Sequence, residues 1–250
     1  MLGPEKRVTP PDATSRKTRP LSMGDRLELR FSTGRTVDGL WIGTVESDAA
    51  SILERIEQAL ALIRLHAPRR YQRLRRDLSR IWVRLLPGDL ASFNAAARAC
   101  ELDSRYVRDD AVTAGELAAS IVHEASHARI DRYIPYREDL RHRIEAACRR
   151  QELAFARRLP AGGAIQERTK DWLAASPPKE FWSDSAFEQR FVDGTLEALR
   201  HLGVPQRVLL VLRWLRRPTL AFRHLANGLT RRWTDQKQRP RPTITASRGP

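Results

Sequence analysis

Through the first hundred residues short runs of alternating apolar and polar positions are interleaved with helical spacing, and helical spacing dominates thereafter. Leu27, Leu29 and Phe31 alternate with Glu28 and Arg30. Thr33-Gly34-Arg35 supplies turn residues, and Val37 to Val45 is apolar with Gly39 and Gly43, a pattern that predicts a hairpin. Ile52, Ile56, Leu60 and Ile63 then mark one face of a helix beginning near Ser51. Pro68 restarts the chain, and Tyr71, Leu74 and Leu78 form an apolar line whose other faces carry Arg69, Arg70, Arg73, Arg75, Arg76 and Arg80. The β-branched and aromatic run Ile81 to Leu86 stops at Pro87-Gly88 and predicts a strand. From Ala99 to Val107, Cys100, Leu102 and Tyr106 alternate with Glu101, Asp103 and Arg105, which predicts a strand with one buried and one wet face.

Longer helices follow. Thr113-Ala114-Gly115-Glu116 has the spacing of a capping box, and Leu117, Ala118, Ala119, Ile121 and Val122 are apolar almost all round, so this helix is expected to be buried. It should end near Arg132, because Pro135 disfavours helical geometry at the residue before it. A second long helix is expected from Arg137 to Leu159, with Leu140, Ile144, Cys148 and Phe155 inward. Residues 161–180 read as a connection around one short helix, and Phe187, Phe191, Leu199 and Leu202 mark another helix closed by Gly203. Residues 206–217 are apolar with interspersed arginines. They are too short and too charged to span a bilayer, and suit either packing on the domain or peripheral contact with a membrane surface through 206–233.

The ends differ in character. Residues 1–22 and 234–250 are Pro-rich, polar and basic and are expected to be disordered arms, and the first lacks the apolar core of a secretory signal. The domain expectation is a core over 23–165 and a helical region over 166–233. Cytoplasmic placement follows, with association at a membrane surface as the variant.

Charge widens the partner list without choosing from it. The formal net charge is +15, and only five of the 45 basic side chains are lysine. Such a surface attracts nucleic acid, anionic lipid or acidic protein. Arginine-rich, lysine-poor usage is also what a GC-rich genome produces. Cys100 and Cys148 form no disulfide or zinc-ribbon spacing, so both are expected as reduced thiols, with Cys148 in the core.

The chemistry concentrates in His123-Glu124-Ala125-Ser126-His127. On a helix, His123 and His127 lie one turn apart and can present both imidazoles to one metal ion, while Glu124 is turned to where it can hold a water. Neutral imidazoles suit Zn²⁺, and a third ligand would leave one position open. The alternative is a pair of core or surface histidines without metal. A third ligand at Asp131 fails, since eight residues along one helix place it about 12 Å away. The longer H-E-x-x-H-x-x-G-x-x-H pattern fails at Ile130 and Tyr133. Glu138, Glu145 and Glu152 share a stripe of the next helix. Glu145 stands 145 − 127 = 18 positions after the second histidine, among Ile144, Ala146, Ala147 and Cys148, whose small apolar side chains let helices approach closely. His142, three residues earlier, is the alternative ligand.

With these residues the chain resembles the gluzincin metallopeptidases, the thermolysin-like group, over about residues 98 to 160. The resemblance implies an α+β zincin-like core: a small, mainly antiparallel sheet packed on the motif helix and a ligand helix, with a helical C-terminal part. It implies His123, His127 and Glu145 as zinc ligands, Glu124 as general base in peptide hydrolysis, and the strand Ala99–Val107 as the edge along which an extended peptide binds. Tyr133, Tyr136 and His142 are the candidate oxyanion donors. The charged Arg129 departs from the apolar character usual after the second histidine of such helices. The competing expectations are an arginine-rich nucleic-acid-binding protein and a zinc-binding interaction module without catalysis.

Overall fold

The computed structural model describes residues 20–134, 137–175 and 177–210. The chain divides into two compact units, residues 1–195 and 196–250. The expected arms over 1–22 and 234–250, and the membrane-contact region beyond residue 210, lie almost wholly outside the described residues. Among the described residues no helix is long and apolar enough to cross a membrane.

The first unit is α+β, as expected. Its sheet has strands β1 (Thr33–Val37), β2 (Leu40–Thr44), β3 (Arg80–Arg84), β4 (Ala91–Asn94) and β5 (Ala99–Asp103) in the order β1-β2-β3-β5-β4. The outer pairs are antiparallel and the inner pairs parallel. The parallel step from β2 to β3 needs a long crossover, which the helices α2 (Ala49–His66) and α3 (Pro68–Asp77) supply. Register places Ile42 opposite Ile81, and Ile81 opposite Cys100. Alternate residues Leu40, Ile42, Ile81, Val83, Cys100 and Leu102 therefore share one face and pack in a single core with Ile56, Leu60 and Ile63 of α2.

Two expectations at the start of the chain are corrected. Leu27 to Phe31 is not a strand but part of helix α1 (Met23–Phe31), capped by Ser22, whose Oγ accepts from the Asp25 amide at 3.0 Å. Met23, Leu27 and Phe31 fit a helical repeat as well as the alternation, and a run this short does not separate the two periods. The hairpin turn is Asp38-Gly39, both at positive φ (50° and 83°), which is the backbone a two-residue turn demands and which glycine adopts freely. α1 is fixed to the second sheet face by charge: Arg84 pairs with Asp25 at 2.7 Å and with Glu28, and stacks over Trp82, whose Nε1 donates to Ser32 Oγ at 3.2 Å.

A third correction concerns β5. The expected strand to Val107 ends at Asp103, which caps a short helix α4 (Ser104–Arg108) by accepting from the Arg105 amide at 2.8 Å. No face of β5 is wet: it lies between β3 and β4, with all five residues buried. Glu101 tolerates this because Asn94 Nδ2 donates to it at 2.8 Å and Arg84 lies 3.5 Å away. The edge strand on this side of the sheet is β4, which the alternation pattern did not reveal.

Helix α5 (Ala114–Asp131) starts at the expected capping box. Thr113 Oγ1 accepts from the Glu116 amide at 3.2 Å, and Glu116 Oε2 accepts from the Thr113 amide at 2.9 Å. Leu117, Ala118, Ala119, Ile121 and Val122 are all buried, so the all-round apolar pattern does predict an enclosed helix. α5 packs on α2, α3 and β4 and, most extensively, on α6 (Arg141–Ala156), which follows a short 3₁₀ turn over Glu138–Leu140. The first unit continues past residue 165, because α7 (Gly163–Ala175) packs on α6. A further helix, α8 (Asp184–His201), follows.

Candidate metal centre

The one-turn spacing on α5 does what helix geometry requires: the rings of His123 and His127 stand 4.9 Å apart, with their Nε2 atoms 3.1 Å from each other. α6 brings Glu145 across from them. Its Oε1 lies 3.2 Å from His123 Nε2 and its Oε2 lies 3.2 Å from His127 Nε2. A tetrahedral ion with ligand bonds of about 2.0–2.1 Å holds its donors about 3.3–3.4 Å apart, so these three side chains fit a zinc-sized cation with little adjustment.

A further carboxylate holds the first histidine in place. Glu152, only 3% exposed, places Oε2 3.1 Å from His123 Nδ1, where it can accept the Nδ1 proton while Nε2 faces the centre. Glu152 also accepts from Arg149 Nη1 at 2.9 Å and from Thr169 Oγ1 of α7 at 3.4 Å. Arg149 Nε donates to Glu145 Oε1 at 3.1 Å, so one guanidinium ties both acids, and it stacks on Trp172. The sequence held a sign of this, since Glu145, Arg149 and Glu152 occupy i, i+4 and i+7 of one helix face. It could not tell which glutamate faces the two Nε2 atoms and which backs His123 from the other side of its ring.

The electrostatics follow from this packing. Burial disfavours a charged His123, yet hydrogen bonds with Glu145 and Glu152 outweigh it and raise the pKa from 6.5 to about 10. Burial would likewise raise Glu145 and Glu152, but their histidine partners hold both below the usual carboxylate range. The metal-free site is thus an imidazolium held between carboxylates, with a proton where a cation fits. Glu124, 6% exposed, is pushed up by burial against the opposing pull of the two histidines. Its carboxylate takes no hydrogen bond among the described residues and borders the same cavity as His123, His127 and Glu145.

That cavity measures about 460 Å³. One wall is β4, through Ala91, Ser92 and Phe93, and the other is aromatic, with Trp172, Phe181 and Trp182. Arg149 and Arg190 are the guanidiniums that face it. Arg190 is steadied by the Phe181 carbonyl at 2.9 Å and by the rings of Phe181 and Phe187.

The expected oxyanion donors are not brought to this cavity. Tyr133 is 71% exposed and borders a separate groove between α3, α5 and α6. His142 is exposed in the first turn of α6, beside Arg143 and Arg150, which also removes it as an alternative ligand to Glu145. Tyr136 lies outside the described residues. The sheet edge that borders the cavity is β4 and not Ala99–Val107. Cys148, one turn beyond Glu145, is a further donor near the histidines: its Sγ is within 4.8 Å of a nitrogen on each. Glu145 has the stronger claim as third ligand, because its oxygens already stand at ligand spacing. Comparison with protein-family models, curated protein sequences and solved structures finds no match for this chain.

Proposed function

We propose that this chain is a zinc-dependent peptidase in which His123, His127 and Glu145 hold the metal and Glu124 is the general base. The observation that carries the reading is the meeting of two Nε2 atoms and one carboxylate at 3.1–3.2 Å, in a cavity shared with an unpaired, buried glutamate. Zinc bound there would polarise a peptide carbonyl and make a water acidic enough to lose a proton near neutral pH. Glu124 accepts that proton and later delivers it to the leaving amine, a role that suits a carboxylate with no competing hydrogen bond. β4 offers the backbone groups of a sheet edge to an extended peptide, whose side chains would face the aromatic wall. Arg190 and Arg149 take the place of the tyrosines and His142 as candidate donors to negative charge developing on the carbonyl oxygen.

The nucleic-acid reading draws less support. Among the described residues Arg84, Arg105, Arg108, Arg132 and Arg149 each pair with a carboxylate within the fold, so part of the basic excess serves structure. The test is elemental analysis with peptide-library cleavage for wild type, Glu145→Ala and Glu124→Gln. One equivalent of zinc is expected in wild type and Glu124→Gln, with loss in Glu145→Ala, and cleavage is expected in wild type alone. Turnover retained by Glu124→Gln refutes the base. Zinc without any cleavage identifies a non-catalytic binding module instead.

A further inference from the structure

The donors around the centre do not end with the three assigned to it. Cys148 follows Glu145 by three positions, on the same stripe of α6, and its Sγ lies within 4.8 Å of a ring nitrogen of His123 and of His127. The side chain is completely buried, and no hydrogen bond among the described residues engages the sulfur. In a tetrahedral centre with nitrogen bonds of about 2.0–2.1 Å and a sulfur bond of about 2.3 Å, sulfur and nitrogen stand about 3.5 Å apart. Sulfur within 4.8 Å of each nitrogen is therefore at most about 1.3 Å beyond that spacing, less than the nearly 3 Å by which a change of χ1 well moves a cysteine Sγ. The other cysteine has no such relation: Cys100 sits on β5 in the sheet core and is not part of the donor group.

We propose that Cys148 is a fourth protein ligand of this centre and that in the resting protein it closes the position that hydrolysis needs open. The proposal rests on the metal-binding reading above and adds to it a built-in brake. Closing breaks the S–H bond as the sulfur takes its place on the cation, and the proton leaves to solvent. Opening reverses both changes, with no oxidant or reductant required. A donor set of two imidazoles, a carboxylate and a thiolate also selects zinc-like ions over magnesium or calcium, which prefer oxygen.

Cobalt(II) reads this directly, since a bound thiolate gives a near-ultraviolet charge-transfer band and any tetrahedral site gives visible d–d bands. Full-length wild-type protein loaded with Co²⁺ alone is expected to show both. Cys148→Ser should keep the d–d bands and lose the charge-transfer band, and Cys100→Ser should keep both. Visible bands without charge transfer in wild type overturn the thiolate ligand and leave the His-His-Glu centre standing. No cobalt binding at all overturns both readings. The wild-type spectrum decides the matter even where a variant does not fold. Zinc-loaded Cys148→Ser is further expected to cleave peptides several-fold faster than wild type, and an unchanged rate overturns the closing role.

Discussion

Replacing Glu152 by Gln tests whether the buried acid behind His123 serves the metal. The substitution conserves shape and removes charge. In wild type one oxygen, Oε2, faces both His123 Nδ1 at 3.1 Å and Arg149 Nη1 at 2.9 Å, and Oε1 faces Thr169 Oγ1 at 3.4 Å. A glutamine has a single carbonyl oxygen. If that oxygen serves His123 and Arg149, its NH₂ meets only the Thr169 hydroxyl and the charge-assisted character is gone; if it turns to Thr169, two donors face an NH₂. Losing a hydrogen bond to a charged group costs about 1.5–3 kcal/mol. Supporting carboxylates behind metal-bound histidines are worth about 10- to 100-fold in affinity, or about 1.4–2.8 kcal/mol. The two figures agree, so Glu152→Gln should weaken zinc binding by about tenfold or more. Glu152→Ala, which also leaves a cavity, should weaken it further. Competition against a chromophoric chelator at neutral pH measures this. A folded Glu152→Gln protein that binds zinc as tightly as wild type would show that His123 needs no such support, and the assignment of a metal-orienting role would be withdrawn.

Three further outcomes are expected. Because the folded pKa of His123, about 10, lies above its ordinary 6.5, its pairing stabilises the metal-free protein fully below 6.5 and is lost as pH rises toward 10. Denaturation midpoints of chelator-treated protein should therefore fall across that interval, and a flat profile contradicts the ion pair. The same proton must leave when zinc enters, and the Cys148 thiol loses a second if it binds as the fourth ligand, so calorimetry in buffers of different ionisation enthalpy should report release of about two protons per zinc near neutral pH in wild type and about one in Cys148→Ser, with zero release as the contrary result. Thr113→Ala removes the hydroxyl half of the α5 capping box and should cost about 1 kcal/mol, lowering the melting temperature by about 2–4 °C; no loss would mean that tertiary packing alone sets the helix start.

The reach of the sequence is visible in single residues. Thr113, the apolar run Leu117 to Val122, His123, Glu124 and His127 lie within one helix, so local periodicity and a capping pattern place them without knowledge of any other element. Glu145 was reachable too, because its small neighbours and its distance along the chain allow a second helix to return to the first. The alternation of Leu27, Leu29 and Phe31 misleads because a run of five residues does not separate the two periods, and the Ser22 cap and the pairing of Arg84 with Asp25 and Glu28 belong to the helix. The insertion of β5 between β3 and β4 depends on pairing between strands that chain order does not specify. That one step buries Glu101, moves the edge to β4 and forms one wall of the cavity. Glu152, Arg149 and Thr169 join the site only when α5, α6 and α7 are packed together, since a hydrogen bond between helices has no periodicity to betray it. Sequence alone determined that His123, Glu124 and His127 stand within one turn or so of a single buried helix. The tertiary structure decided which of them meet and what stands behind them, because donor geometry within a few ångströms is set by packing across elements and not along them.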